Sequence, residues 1–247
     1  MGKKSINPSQ QKLLWGKSAS RCAICKEILH KPDKEGKDYP IGEMAHIEGE
    51  NPGAARYNTN MTDEERNNYQ NLILLCPTHH IIIDKDESEY TVRKLKQIKK
   101  DHEKWIQDSL RTQIADITFA ELDVILKYLT VVDIPHGDKP ITIIPPAKKI
   151  KKNDLSGEVG NLITIGMIQR KLIKNYLNKH PDLDFSVRLS RGFFDKYEEL
   201  RQDGLIGDAL FYELWDFASN YSDDFKQKTA GLSVLTYFFE LCEVFEE

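Results

Sequence analysis

A chain of 247 residues, 40 % hydrophobic and 30 % charged, is long enough for one large domain or two small ones and apolar enough for ordinary cores. Its apolar runs stop well short of the roughly 18 residues a membrane span requires. Met1-Gly2-Lys3-Lys4-Ser5 lacks the apolar stretch of a secretory leader, so a cytoplasmic protein without a membrane partner is expected. The net charge of −4 is unevenly spread: residues 1–120 carry 19 basic and 18 acidic side chains, the remainder 16 and 21. Nucleic-acid affinity depends on local basic clusters rather than on the total. Two such clusters stand in the first half, Lys3 to Lys26 and Arg93 to Lys104, although runs of this kind are also ordinary solvated helix faces.

In chain order, Asn7-Pro8-Ser9 predicts a helix start with proline in the first turn. Arg21-Cys22-Ala23-Ile24-Cys25-Lys26 reads as a tight knuckle and residues 30–40 as a charged loop. Ile41 to Ile47 reads as a short strand, Thr62-Asp63-Glu64-Glu65 as a capping box opening a brief helix, and Leu72 to Leu75 as a buried strand. Pro77 starts a helix carrying His79, His80 and Asp84, and residues 91–114 form a long basic helix. Thr118 to Thr130 reads as another helix. The stretch 131–153, with Pro135, Pro140, Pro145, Pro146 and the run Lys148 to Lys152, reads as a connector. Four helices are expected beyond it, at about 155–179, 183–203, 207–220 and 224–244, with Phe193 to Phe245 supplying a mostly apolar core and Cys242 packed inside it.

Cys22-x-x-Cys25 and Cys76-x-x-His79 are two half-sites separated by 50 residues. Zinc takes four N/S ligands in a tetrahedron, and each x-x turn lets two of them grip one ion. Four protein ligands leave no open position, so this zinc is expected to be structural. The dry alternative is buried cysteines acting as small hydrophobes.

Met44-Ala45-His46-Ile47, the Asn71 to Cys76 run and His79 to Asp84 together resemble the HNH endonuclease family over about residues 20–85. The resemblance implies a ββα-metal fold that holds one divalent cation, magnesium or manganese, and cuts phosphodiester backbones. Hydrolysis needs a group that takes a proton from water, which histidine, with its ordinary pKa of ~6.5, can do at neutral pH. A cation on the scissile phosphate then stabilises the developing charge. The resemblance implies that His46 is the general base, that Asn71 holds the loop orienting it, and that His80 is a metal ligand. Asp84, at i+4 on the same helix face, is a second ligand candidate. Many family members have an acidic residue or histidine where this chain has Ala45, and Asp84, Glu43 or Glu48 is the candidate replacement. Arg56 and Arg66 are candidate phosphate clamps, since guanidinium forks fit phosphate oxygens; salt pairs with Asp63 to Glu65 account for them as well.

The Ala-His-Ile variant and long loop are similar to nuclease domains of bacterial antiphage effectors. Gly207 to Phe211 and Cys242 to Glu246 are similar to C-terminal modules of ABC-three-component defence proteins, which implies assembly with an ATPase subunit or in an oligomer. The expectation is an α+β chain: residues 1–115 an HNH nuclease domain with a structural zinc knot, 116–152 a helix and Pro/Lys-rich connector, and 153–247 an all-α regulatory or docking domain. The expected function is metal-dependent cutting of DNA as part of antiphage defence. The alternative is a non-catalytic zinc module that binds nucleic acid or protein.

Overall fold

The computed structural model describes residues 5–35, 38–131, 146–182, 184–241 and 245. They fall into two units, residues 1–106 and 107–247. Among the described residues strands occur only in the first, and no described helix is long and apolar enough to cross a membrane.

In the first unit, helix α1 (Pro8–Lys17) begins where the sequence predicts, with the Asn7 side chain accepting from the Ser9 N–H at 2.8 Å. The chain turns through Ala19 and Ser20, both at positive φ, into the cysteine knuckle. Residues 30–40, expected as a loop, contain an antiparallel ribbon, β1 (His30–Pro32) with β2 (Asp38–Pro40). Its strands are three residues long and rich in charge and proline, so no period-2 apolar pattern marks them. β3 (Glu43–His46) is narrower than the predicted 41–47 strand. The capping box at Thr62 and Glu65 opens α2 (Asp63–Arg66) as predicted.

β4 (Leu72–Leu75) pairs antiparallel with β3, setting Ala45 opposite Ile73 and His46 opposite Leu72. It also meets α1 and α3 (Pro77–Lys85), so all four of its side chains are buried and the strand reads as an unbroken apolar run. The long helix α4 (Val92–Gln113) follows. Leu14, Leu29, Ile47, Ile83 and Leu95 complete the core around the β3–β4–α3 unit.

Every described element of the second unit is helical: α5 (Phe119–Val131), α6 (Pro146–Lys152), α7 (Gly157–Gly166), α8 (Arg170–Lys179), α9 (Phe185–Gln202), α10 (Gly207–Ala218) and α11 (Phe225–Leu241). α11 lies at the centre, touching α5, α7, α8, α9 and α10. The helix expected over 155–179 is broken by a 3-10 turn at Met167–Gln169. Just before the break, Gly166 lies so close to α11 that a Cβ would come within 2.5 Å of Thr236 Oγ1, so only glycine fits there, and its low helix propensity favours a break at this point. The basic run at 148–152, expected in a connector, is instead helical. Lys149 is fully buried and donates to the Phe239 carbonyl at 2.7 Å. The expected aromatic core is present, with Phe193, Phe211, Trp215, Phe239 and Phe245 all buried. Pro135, Pro140, Pro145 and Cys242 lie outside the described residues.

Candidate functional site

The two cysteine half-sites meet at the start of α3. Cys22 and Cys25 sit on the knuckle, which is tied to β4 by the Ala23 N–H donating to the Leu74 carbonyl at 2.9 Å. Cys76 is the N-cap of α3, its sulfur accepting from the His79 N–H at 3.5 Å, and His79 follows on the first turn. One ligand atom from each of the four residues lies within 4.8 Å of the other three. The His79 Nδ1 is 3.1 Å from Cys76 Sγ and 3.7 Å from Cys22 Sγ. Zinc with ~2.3 Å sulfur bonds holds tetrahedral ligands roughly 3.5–3.8 Å apart, so three thiols and an imidazole at these spacings could hold a zinc ion. This is the one group of three or more such donors among the described residues.

The electrostatics agree with the chemistry of the donor set. Although Cys25 is exposed as a residue, its sulfur faces the other donors. Burial, hydrogen bonding to Cys22 and the charges of Cys22 and Cys76 push its thiol up to about 12, outweighing a backbone hydrogen bond at Glu27. Thiolates crowded this way repel, and a bound cation reverses the balance by deprotonating its ligands. Behind the knuckle, Lys26 Nζ donates to the Ala23 carbonyl at 2.7 Å and to His102 Nδ1 at 2.9 Å. The His102 Nε2–H donates to the Ser18 carbonyl at 3.2 Å. Burial first, and then the Lys26 charge, push His102 down to about 4, so this imidazole is neutral at pH 7.

His46 ends β3, and its Nε2 lies 3.1 Å from Asn67 Oδ1. A carboxamide oxygen only accepts, so this contact suits the tautomer with the proton on Nε2. Asn71 is buried, and its side chain takes both backbone groups of Glu48. Oδ1 accepts from the Glu48 N–H at 2.9 Å and Nδ2 donates to the Glu48 carbonyl at 2.9 Å, with a further bond to the Arg66 carbonyl at 3.0 Å. The Ile47 N–H donates to the Asn71 carbonyl at 2.8 Å, so the chain leaving His46 is fixed at consecutive residues. Ala45 is fully buried, and alternation along the strand turns it away from the His46 face. A carboxylate there would face the core.

His80 and Asp84 stand one turn apart on α3, with Nε2 and Oδ2 3.5 Å apart. They present one nitrogen and one carboxylate on one helix face, two donors that could serve as ligands to a hard cation. The other Asp84 oxygen accepts from Arg56 at 2.8 Å. Arg56 and Arg66, expected as phosphate clamps, have guanidiniums turned inward. Arg56 donates to the Ile47 and Ile83 carbonyls, and Arg66 to the Gly49, Asn58 and Met61 carbonyls while resting 4.3 Å from the Tyr57 ring. Glu48, one candidate oxygen donor, accepts from Asn58 Nδ2 at 2.8 Å and pairs with Lys96 at 3.3 Å, whereas Glu43 is exposed.

Asn67 was absent from the expected site. The signal for it was present in the capping box, which fixes a single helical turn from Asp63 to Arg66 and leaves Asn67 as its C-cap. What the sequence lacked was the pairing partner across the loop.

No curated protein matches the chain. Residues 22–86 match the family model described as HNH endonuclease, a span of about a quarter of the chain that takes in both cysteine half-sites and every residue from His46 to Asp84, so this part of the first unit is similar to HNH endonuclease domains.

Proposed function

We propose that the chain is a divalent-cation-dependent endonuclease that hydrolyses the phosphodiester backbone of DNA. The supporting observation is that His46 and Asn71 stand at adjoining ends of β3 and β4. The thiol–imidazole cluster anchors the start of α3, which carries His80 and Asp84. His46 Nδ1 takes a proton from the attacking water as its oxygen bonds to phosphorus, and the sugar oxygen departs on the far side. Asn67 keeps the imidazole in the tautomer with a bare Nδ1, and Asn71 holds the loop so the ring keeps its aim. His80 and Asp84 would hold magnesium or manganese, and the cation would supply charge neutralisation on the phosphate. Arg56 and Arg66 shape the loop beside the phosphate, and the zinc knot is structural.

Residues 153–247 act as a regulatory or docking module for an ATPase subunit of an antiphage assembly. The support is their resemblance, at Gly207 to Phe211, to modules of three-component defence proteins. Co-expression with a neighbour-encoded ATPase should give a stable complex, and separate elution of the two proteins would remove this part of the proposal. The nuclease itself is tested by incubating the protein with plasmid and magnesium or manganese. The wild type nicks the DNA. His46→Ala lowers the rate by about 10²–10⁴-fold with zinc content and melting unchanged. Equal cutting by both proteins defeats the assignment, and a gel shift without cleavage points to a binding module.

A further inference from the structure

We infer that Arg56 is a positioning residue that fixes the Asp84 carboxylate for cation binding beside His80 and locks it to the strand carrying His46. This rests on the cation site proposed above. Arg56 lies in the loop after β3, and its side chain is only 5 % exposed. Its Nε donates to the Ile47 carbonyl at 2.8 Å, one terminal nitrogen to the Ile83 carbonyl at 2.6 Å, and the other to Asp84 Oδ1 at 2.8 Å. One planar group therefore spans the residue after His46 and the last turn of α3. The Asp84 carboxylate keeps a single oxygen, Oδ2, turned toward His80 Nε2. A lysine would provide one point donor in place of this fork.

The backbone is committed to the same end. Arg56 holds φ at +56°, a left-handed conformation unusual outside glycine, and its N–H donates to Glu87 Oε2 at 2.9 Å. The turn just before it is too tight to move freely: the Gly49 N–H donates to the Ala55 carbonyl at 3.0 Å, and a Cβ on Gly49 would come within 2.5 Å of that oxygen. A residue held from both backbone and side chain is suited to orienting a ligand. Partners that hydrogen-bond a ligating carboxylate typically govern metal affinity by about 10–100-fold. The opposing effect is Coulombic, because a guanidinium near a cation repels it. The effective dielectric near a surface weakens that repulsion without removing it, and the measured cation affinity reports which effect is larger.

Manganese binding to the zinc-loaded full chain, read by electron paramagnetic resonance, tests the role without any cleavage assay. Arg56→Gln is expected to weaken binding about 10-fold or more, with zinc content and circular dichroism unchanged. Arg56→Lys, which keeps the charge and is the fallback if Arg56→Gln does not fold, is expected to lose as much. Asp84→Asn leaves an acceptor for Arg56 but weakens binding by itself, and adding Arg56→Gln to it should cost little more. Wild-type or tighter manganese binding in both Arg56 variants overturns the inference, as does an undiminished loss in the Asp84→Asn background. If His80→Ala and Asp84→Asn both bind manganese as the wild type does, the cation site proposed above falls as well. Loss in those two with wild-type affinity in the Arg56 variants sinks the positioning role alone.

Discussion

The two units hold themselves together by different means. In the first, residues 5–106, short elements alternate with irregular segments, and buried polar side chains capture backbone carbonyls. Arg66 holds Gly49 and Met61, Lys99 holds Tyr69 and Leu72, and Asn71 holds Glu48 and Arg66. In the second, helices pack through aromatic side chains and small-residue contacts. Phe193, Phe211, Trp215 and Phe239 are buried there, and Gly231 meets Ser219 closely enough that a Cβ would sit 2.3 Å from its Oγ. A short chain that must present polar chemistry has few apolar faces to bury. It substitutes charge-assisted hydrogen bonds and metal ligands for apolar area, whereas the helical unit relies on burial.

That contrast can be broken most directly at the metal. Chelation, or Cys22→Ser with Cys25→Ser, should unfold the first unit, since structural zinc contributes roughly 10 kcal/mol, and should spare the second. Calorimetry should then lose one of two transitions. Unaltered melting with chelator present would mean that the apolar core suffices. The reverse experiment is Phe211→Ala: Phe211 is fully buried and the substitution should cost about 3–5 kcal/mol, lowering only the second transition and leaving zinc content intact.

A third test uses His102. Its folded pKa of about 4 lies below the ordinary 6.5, so the unfolded chain binds the extra proton between those values. Stability is full above about 6.5 and falls as pH drops toward 4, by on the order of 3 kcal/mol in total. His102→Gln should flatten denaturant midpoints of the first unit across that window, and an unchanged slope would assign the acid sensitivity elsewhere. The smallest expected effect is at Thr62, whose hydroxyl caps α2. Thr62→Ala should cost ~1 kcal/mol and loosen Asn67 at the other end of that turn, which histidine nitrogen spectra of His46 can detect.

Much of this was legible where local chemistry decides structure. The cysteine spacing, the proline starts at Pro8 and Pro77, the capping box at Thr62 and the apolar run at Leu72 each carry their own physical reason, and each element formed there. What escaped was decided by distant partners. Arg56 and Arg66 look like surface cations in sequence because the carbonyls they bind belong mostly to irregular loop segments with no pattern of their own. Lys149 resembles any lysine in a basic run until α11 supplies the Phe239 carbonyl. The close approach of Gly166 to Thr236, beside the break at Met167, is likewise a tertiary fact. The β1–β2 ribbon is too short and too charged to show a period.

The 50 residues between the half-sites set an order of events during synthesis. A zinc ion taken up by the first pair could not complete its shell until residue 79 has left the ribosome, and closing so long a span is slow and entropically opposed. By then His46, Arg56 and Asn71 have all emerged, so the last ligand arrives with the helix whose first turn it occupies. In a nascent chain of this kind the four donors cannot meet before α3 has begun.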